Sequence, residues 1–263
     1  MEDHPGFATD LLFDRYQGEV TDHDAFWTVR TPGSPDYYFG NYLLLPTPPS
    51  DRDKGWLEAS FDRLIGWDPR IRHRTFQWPL AAGQNSRVAG FVAAGYQYME
   101  CVVLALSAME CQAPTGSDLA PARPFTAADW DQWLAFELAE RDPAHSEERY
   151  LPYLLSRRQL YQAMIDDGLG QWWGLWHQDQ LVASCGLFFT GTLGRFQLVR
   201  THAEWRNRGL CRLLLSQVAR QGLARASSLI IVADEHYHAQ RVYRTLGFVP
   251  VARIGSLCRL PRE

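Results

Sequence analysis

The chain has 263 residues, 46% of them hydrophobic and 21% charged, with a formal net charge of −4. That apolar content excludes a wholly disordered chain, and the lack of basic excess argues against non-specific nucleic-acid binding. At roughly 100–200 residues per domain, the length suits one large domain or two small ones.

The first ten residues, MEDHPGFATD, lack a basic segment followed by an apolar run, so no signal peptide is expected. Phe26–Arg30 and Tyr37–Leu45 read as a hairpin around Pro32-Gly33-Ser34. Leu57, Phe61, Leu64 and Ile65 mark one face of a helix, and His73–Trp78 reads as a strand. A helix ending at Ala94-Gly95-Tyr96 and a strand over Met99–Leu106 follow. The apolar stretch Val88–Leu106 carries Gln97 and Glu100, and a membrane span needs ~20 mostly apolar residues, so none is expected.

Gln112 to Pro121 reads QAPTGSDLAP, a linker composition. It divides the chain into residues 1–111, 112–121 and 122–263. In the last segment Ala122–Phe125 reads as a short strand, and Thr126-Ala-Ala-Asp129 as the capping box of a helix bearing Trp130, Trp133, Leu134 and Leu138. A second helix is expected over Ser146–Asp166. Strands are expected over Gln171–His177, Leu181–Thr190 and Arg195–Thr201. A polar loop, His202 to Gly209, leads into a helix with Leu210, Leu213, Leu214 and Val218 on one side. Leu229–Ala233 reads as a buried strand. Ala239, Val242, Tyr243 and Leu246 form the stripe of a further helix closed by Gly247, and Val249–Leu260 as the last strand. The fold class is mixed α/β. The run FVAAGYQYMECVVLAL matches YRTLGFVPVARIGSLC, aligning Gly95 with Gly247, and Lys54-Gly55 aligns with Arg208-Gly209 at a similar offset. The pattern is that of an internal duplication.

The five cysteines, Cys101, Cys111, Cys185, Cys211 and Cys258, show no paired or zinc-ligand spacing. They read as free thiols of a cytoplasmic protein with no metal site.

The strand–loop–helix unit from Leu198 to Val218 concentrates the chemistry. A helix N-terminus offers unpaired N–H groups, Gly209 admits close backbone approach, and Arg206 and Arg208 add charge, a combination suited to a phosphate or diphosphate. The same composition also occurs in ordinary polar loops. Downstream, His236-x-x-Ala239-x-x-x-Tyr243-x-x-x-Gly247-Phe248 follows a strand. Together with Arg206-x-x-Gly209-x-Cys211, this resembles the GNAT superfamily of acyl-CoA-dependent N-acetyltransferases. The resemblance covers residues 120–260 by element order and residues 1–111 as a degraded copy, in the manner of tandem members. Cys211 stands where the family has a second Gly or Ala, Ala203 where Pro is common, and His236 where Asn is usual.

The resemblance implies a mixed, mostly antiparallel GNAT-type sheet flanked by helices, and acetyl-CoA as co-substrate. It implies that backbone groups of Leu198, Val199, Arg200 and Thr201 pair with the pantetheine arm, one N–H near Thr201 facing the thioester oxygen. It places the diphosphate on Arg206, Asn207, Arg208, Gly209, Leu210, Cys211 and Arg212, with His236 and Ala239 beside the arm, and makes Tyr243 the acid that protonates the leaving thiolate. By spacing alone, Tyr243 fits a packed core position better than a catalytic one. A small-molecule or peptide amine is the implied acceptor, with no nucleic acid or membrane partner, in a monomer or homodimer. An acceptor amine of pKa about 10.4 costs about 4–5 kcal/mol to neutralise at pH 7, so a base has work to do. His202, Glu204, Asp234 and Glu235 are the candidates. Two alternatives remain at this level: a non-catalytic acyl-CoA-binding or regulatory module, and an enzyme using a longer acyl or aminoacyl donor accommodated near Cys185 and Phe188.

Ser50-Asp-Arg-Asp-Lys-Gly55 takes the place of the phosphate loop in the first part. Its two aspartates would repel an anion, so that half is expected to leave CoA unbound. Trp172, Trp173 and Trp176 read as packing between the two halves, with an aromatic ligand cage as the alternative, and Glu147, Glu148, Arg157 and Arg158 as a solvated helix face or acceptor-pocket contacts.

Overall fold

The computed structural model describes residues 3–81, 83–84, 86–108, 121–143, 146–234 and 239–261. In chain order the elements are α1 Pro5–Gln17, β1 Glu19–Asp22, β2 Trp27–Arg30, β3 Tyr42–Leu44, α2 Lys54–Leu64, β4 Arg74–Leu80, α3 Ala89–Ala93 and β5 Gln97–Leu106. Then come β6 Arg123–Pro124, α4 Asp129–Ala139, α5 Glu147–Asp166, β7 Gly170–His177, β8 Gln180–Thr190, β9 Leu193–Thr201, α6 Leu210–Leu223, β10 Ser228–Asp234, α7 Ala239–Thr245 and β11 Val249–Arg259. Two compact units divide the chain. The first comprises Met1–Val103, Val232–His236 and Pro250–Glu263, and the second Leu104–Ile231 and Tyr237–Val249. No helix among the described residues is long and apolar enough to cross a membrane.

In the first unit β1, β2 and β3 form an antiparallel run, whose β2–β3 pair is the hairpin expected from the sequence. β3 then pairs in parallel with β4, Leu43 opposite Phe76, and the α2 crossover covers the step. The far edge of β4 is taken by the C-terminal strand β11, antiparallel from Arg253↔Leu80 to Arg259↔Arg74. The residues 250–263 that the sequence places with the second half thus belong to the first unit. Leu57 and Phe61 of α2, Phe76 and Trp78 of β4, Phe91 of α3, Tyr96 and Leu257 close its core. The sequence reading leaves out α1 and β1. The α1 stripe of Phe7, Leu11 and Phe13 is broken by buried Thr9 and Asp14, and the Asp14 carboxylate accepts a hydrogen bond from Tyr42 Oη at 2.8 Å.

In the second unit β6, β7, β8 and β9 are antiparallel neighbours and β9 runs parallel to β10. Leu187 and Phe188 are consecutive on β8 and so face opposite sides. Phe188 meets Tyr161 of α5, ring centroids 5.6 Å apart, whereas a Cβ added at Gly222 of α6 would touch Leu187. Helices therefore cover both faces: α4 and α5 on one, α6 on the other. Trp172 and Trp133 are fully buried and join Trp130, Tyr161 and Phe125 in an aromatic core, so Trp172 packs within this unit and not between the halves as the sequence suggests. Of the capping box expected before α4 only half forms: Asp129 accepts from Thr126 N–H at 2.6 Å and Thr126 Oγ1 at 2.8 Å, while Asp129 N–H goes to the Thr126 carbonyl and the helix N-cap is Ala128.

The two units repeat a motif. Each contains two parallel neighbouring strands joined by a helix, β3–α2–β4 and β9–α6–β10. Gly95 (φ +89°) and Gly247 (φ +96°) both adopt the left-handed region that glycine tolerates. The residue after each donates back to the helix, Tyr96 N–H to Phe91 O and Phe248 N–H to Tyr243 O.

Candidate functional site

Strand β9 is irregular where the site is expected. Its ladder with β8 runs regularly from Leu193↔Thr190 to Gln197↔Gly186, then slips by a residue before Arg200↔Ser184. Leu198 sits in that slip at φ +42°, a backbone state that a branched side chain rarely adopts. The result is a bulge that turns peptide groups out of the β8 ladder. On the other side, the ladder with β10 registers Leu193–Arg195 against Ser228–Ile230. β9 itself runs on to Thr201. Leu198, Val199, Arg200 and Thr201 are all partly exposed on this stretch.

The turn after β9 reverses through a short 3-10 segment, Ala203–Trp205. Asn207 (φ +61°) and Gly209 (φ +77°) both take the left-handed conformation before α6 begins. An added Cβ at Gly209 would meet nothing within 4 Å, so the space above the helix start is open. Gly209 carbonyl already accepts Leu213 N–H at 2.9 Å, which sets the first turn of α6. The first-turn amides of a helix have no intrahelical acceptor, and alternating left-handed residues before them make a concave nest for an anion. Leu210 is buried and contributes backbone only, while Cys211 and Arg212 are partly buried. Burial pushes the Cys211 thiol up to about 11, so it remains neutral and fills the small-residue position without adding charge. Arg212 keeps its Nε buried with no hydrogen-bond partner.

The two other arginines of the loop are engaged. Arg206 Nη2 contacts Glu140 Oε2, and its Nε donates to Thr201 O at 3.2 Å. The Arg208 guanidinium lies 4.7 Å over the Trp205 ring, and Trp205 in turn packs at 4.5 Å on His177. Sequence reasoning missed Glu140 and Glu137. Glu140 caps the C-terminus of α4, and Glu137, one turn earlier, is 0% exposed with Oε2 3.0 Å from Arg200 Nε. Burial raises Glu137 to about 7, against the attraction of Arg200 and with the Glu140 charge adding to the rise. Burial also raises the Tyr150 phenol, which hydrogen-bonds Arg200. Both acids lie on the amphipathic helix predicted from Trp130 and Trp133, and their inward direction follows from helical period, but their partners lie about 60 residues on.

Tyr243 is on α7, 5% exposed, its ring 6.3 Å from Phe248, which packs at 6.1 Å on Phe196 of β9. Ala239 is the first residue of α7. His236 and Glu235 lie outside the described residues. Among the other candidate bases, His202 stacks on Phe136 and accepts Glu204 N–H at 3.4 Å, Glu204 is exposed, and Asp234 ends β10, also exposed. In the first unit the corresponding loop is closed by its own acids. Asp53 accepts Ser50 N–H and Oγ at 2.8 Å, and Asp51 accepts Gly90 N–H at 2.7 Å. Gly55 lies inside α2 without a left-handed turn before it.

Residues 140–256 match the acetyltransferase (GNAT) domain family. No curated protein matches the chain. Among solved structures, a functionally unknown conserved protein from Staphylococcus epidermidis superimposes with TM-score 0.75 at 14% identity, over 94% of this chain and 96% of that one. A GCN5-related N-acetyltransferase from Kribbella flavida gives 0.64 at 13% identity, over 97% and 94%. A tandem GNAT protein from the clavulanic acid biosynthesis pathway gives 0.54 at 16% identity, over 90% and 83%. These likenesses extend the fold to both halves.

Proposed function

We propose that the protein, whose residues 140–256 match the acetyltransferase (GNAT) domain family, is an acetyl-CoA-dependent N-acetyltransferase acting on an amine of a small molecule or peptide. The observation that carries this reading is the open start of α6, where Asn207 and Gly209 turn the chain left-handed and leave unobstructed space above the helix amides. These amides, with Arg212, would hold the diphosphate of acetyl-CoA, and the free edge of the bulged β9 from Leu198 to Thr201 would pair with its pantetheine arm. Acetyl-CoA supplies the acetyl thioester. The residues of this chain would orient it: an N–H near Thr201 would stabilise negative charge on the carbonyl oxygen, Tyr243 would give its proton to the departing thiolate as the C–S bond breaks, and the proton released by the amine nitrogen as it forms the amide would pass through water to reprotonate Tyr243.

The first half, residues 1–111, serves in this reading as a degenerate copy that binds no CoA, because Asp51 and Asp53, tied to Gly90 N–H and Ser50 N–H, set two carboxylates at the loop before α2, where an anion would be repelled. The second half, which the sequence bounds at residues 122–263 after a 112–121 linker, is the catalytic domain in this reading, less Val232–His236 and Pro250–Glu263, which belong to the first unit. The reading extends to a cytoplasmic protein without metal, working as a monomer or homodimer.

A thermal-shift series with acetyl-CoA, longer acyl-CoAs and free CoA tests the proposal. At 100 times its dissociation constant a native-state ligand adds about 2.7 kcal/mol of stability, a shift of several degrees. A shift with acetyl-CoA together with product formation on an amine panel supports the enzyme. A shift without turnover on any amine supports the binding module instead, and no shift with any CoA species removes both.

A further inference from the structure

Glu140 touches the β9–α6 connection at three successive points. Its backbone carbonyl accepts Arg200 Nη1 at 2.5 Å, its Oε1 accepts the Ala203 N–H at 2.6 Å, and its Oε2 contacts Arg206 Nη2. The carboxylate is 5% exposed, whereas Arg206 is 54% exposed. Arg206 thus approaches the turn from the solvent side and is drawn back onto the end of α4, its Nε also closing on Thr201 O. One turn earlier, Glu137 fixes Arg200 from beneath.

The turn so held runs through two left-handed residues and is mostly exposed from Ala203 to Gly209. A segment of that kind, without side-chain anchors, has many conformations to lose when a ligand orders it, and that loss subtracts from affinity. We propose that Glu140 is a positioning residue that preorganises the cofactor cradle, and that Arg206 acts through Glu140 rather than as a direct ligand of the diphosphate. The inference rests on the reading of the α6 start as the acetyl-CoA site. Charge favours it as well: a lone carboxylate beside the cradle would repel a diphosphate, and the Arg206 guanidinium neutralises it in place.

A double-mutant cycle on the full chain decides it. Glu140→Ala should raise the KM for acetyl-CoA about tenfold, the scale of a lost charge-assisted hydrogen bond, with kcat and the acceptor KM changed less than about twofold. Arg206→Ala should do the same, and the double variant should be no worse than either single, because both remove one clip. Glu140→Gln keeps an acceptor for Ala203 N–H and should recover part of the loss, and it replaces the alanine variant if that one fails to fold. Additive losses would overturn the proposal by making Arg206 an independent ligand, and an unchanged KM in Glu140→Ala, or in Glu140→Gln where the alanine variant fails to fold, would overturn it directly. Calorimetric titration of the wild type with acetyl-CoA separates the levels: absence of wild-type binding overturns the cofactor site itself, while wild-type binding matched by the variants overturns only the role of Glu140.

Discussion

Glu137 and Arg200 form an ion pair, Oε2 to Nε 3.0 Å, in which the acid is wholly removed from water. The desolvation outweighs the attraction, so the carboxyl titrates near about 7 rather than its ordinary 4.5. Between those values the folded protein holds a proton that the unfolded chain has released. This group therefore stabilises the fold fully below about pH 4.5, and the contribution is lost as pH rises through about 7. Glu137→Gln keeps the shape and removes the titration. Its stability should lack the decline between pH 5 and 7 that the wild type shows, a difference of at most about 3 kcal/mol. Thermal unfolding of both proteins at pH 5, 6, 7 and 8 checks this; parallel curves would show that Glu137 stays ionised.

Gly209 should tolerate no side chain without loss of function. Nothing within 4 Å blocks an added Cβ, so the cost to the fold is the left-handed backbone alone, about 1–2 kcal/mol for alanine. The cost to the cofactor should be larger, because the methyl fills the space that the diphosphate needs. Gly209→Ala is expected to lower kcat/KM for acetyl-CoA at least about tenfold, beyond what the stability loss accounts for. Steady-state kinetics at a temperature where the variant is fully folded measures it.

Tyr243→Phe separates catalysis from packing. The ring is buried against Phe248, so the variant should fold with little change in melting temperature. If the hydroxyl protonates the thiolate, kcat should fall by about 10²-fold while acetyl-CoA binding stays within about twofold. Equal kcat in the two proteins would leave Tyr243 as a core residue.

The first half should contribute no second site. Calorimetric titration should give one acetyl-CoA per chain. Asp51→Ala, which removes the acceptor of Gly90 N–H at 2.7 Å, should cost about 1 kcal/mol of stability and leave acetyl-CoA affinity unchanged. A second equivalent of bound cofactor would mean that the acidic loop rearranges.

The periodic elements of the second half were legible because their causes are local. The stripe Leu210, Leu213, Leu214, Val218 marks α6, the Thr126–Asp129 hydrogen bond marks the approach to α4, and a glycine that must turn left-handed marks both Gly209 and Gly247. The N-terminal helix escaped notice for the opposite reason. Its buried Asp14 reads as a solvent position until Tyr42, 28 residues away, supplies the hydrogen bond.

By itself, then, the sequence determined most of the helices and strands and the turn that could accept a diphosphate, since each depends on residues within a few positions of one another, and it showed the duplication because the same local pattern recurs at Gly95 and Gly247. Tertiary structure alone decided that β11 pairs with β4, that Arg206 answers to Glu140 and that Glu137 loses its water to Arg200. Those outcomes join groups 60 or more residues apart, and which of many possible partners a buried charge or a free strand edge meets is set by chain topology and desolvation, neither of which is written in local spacing.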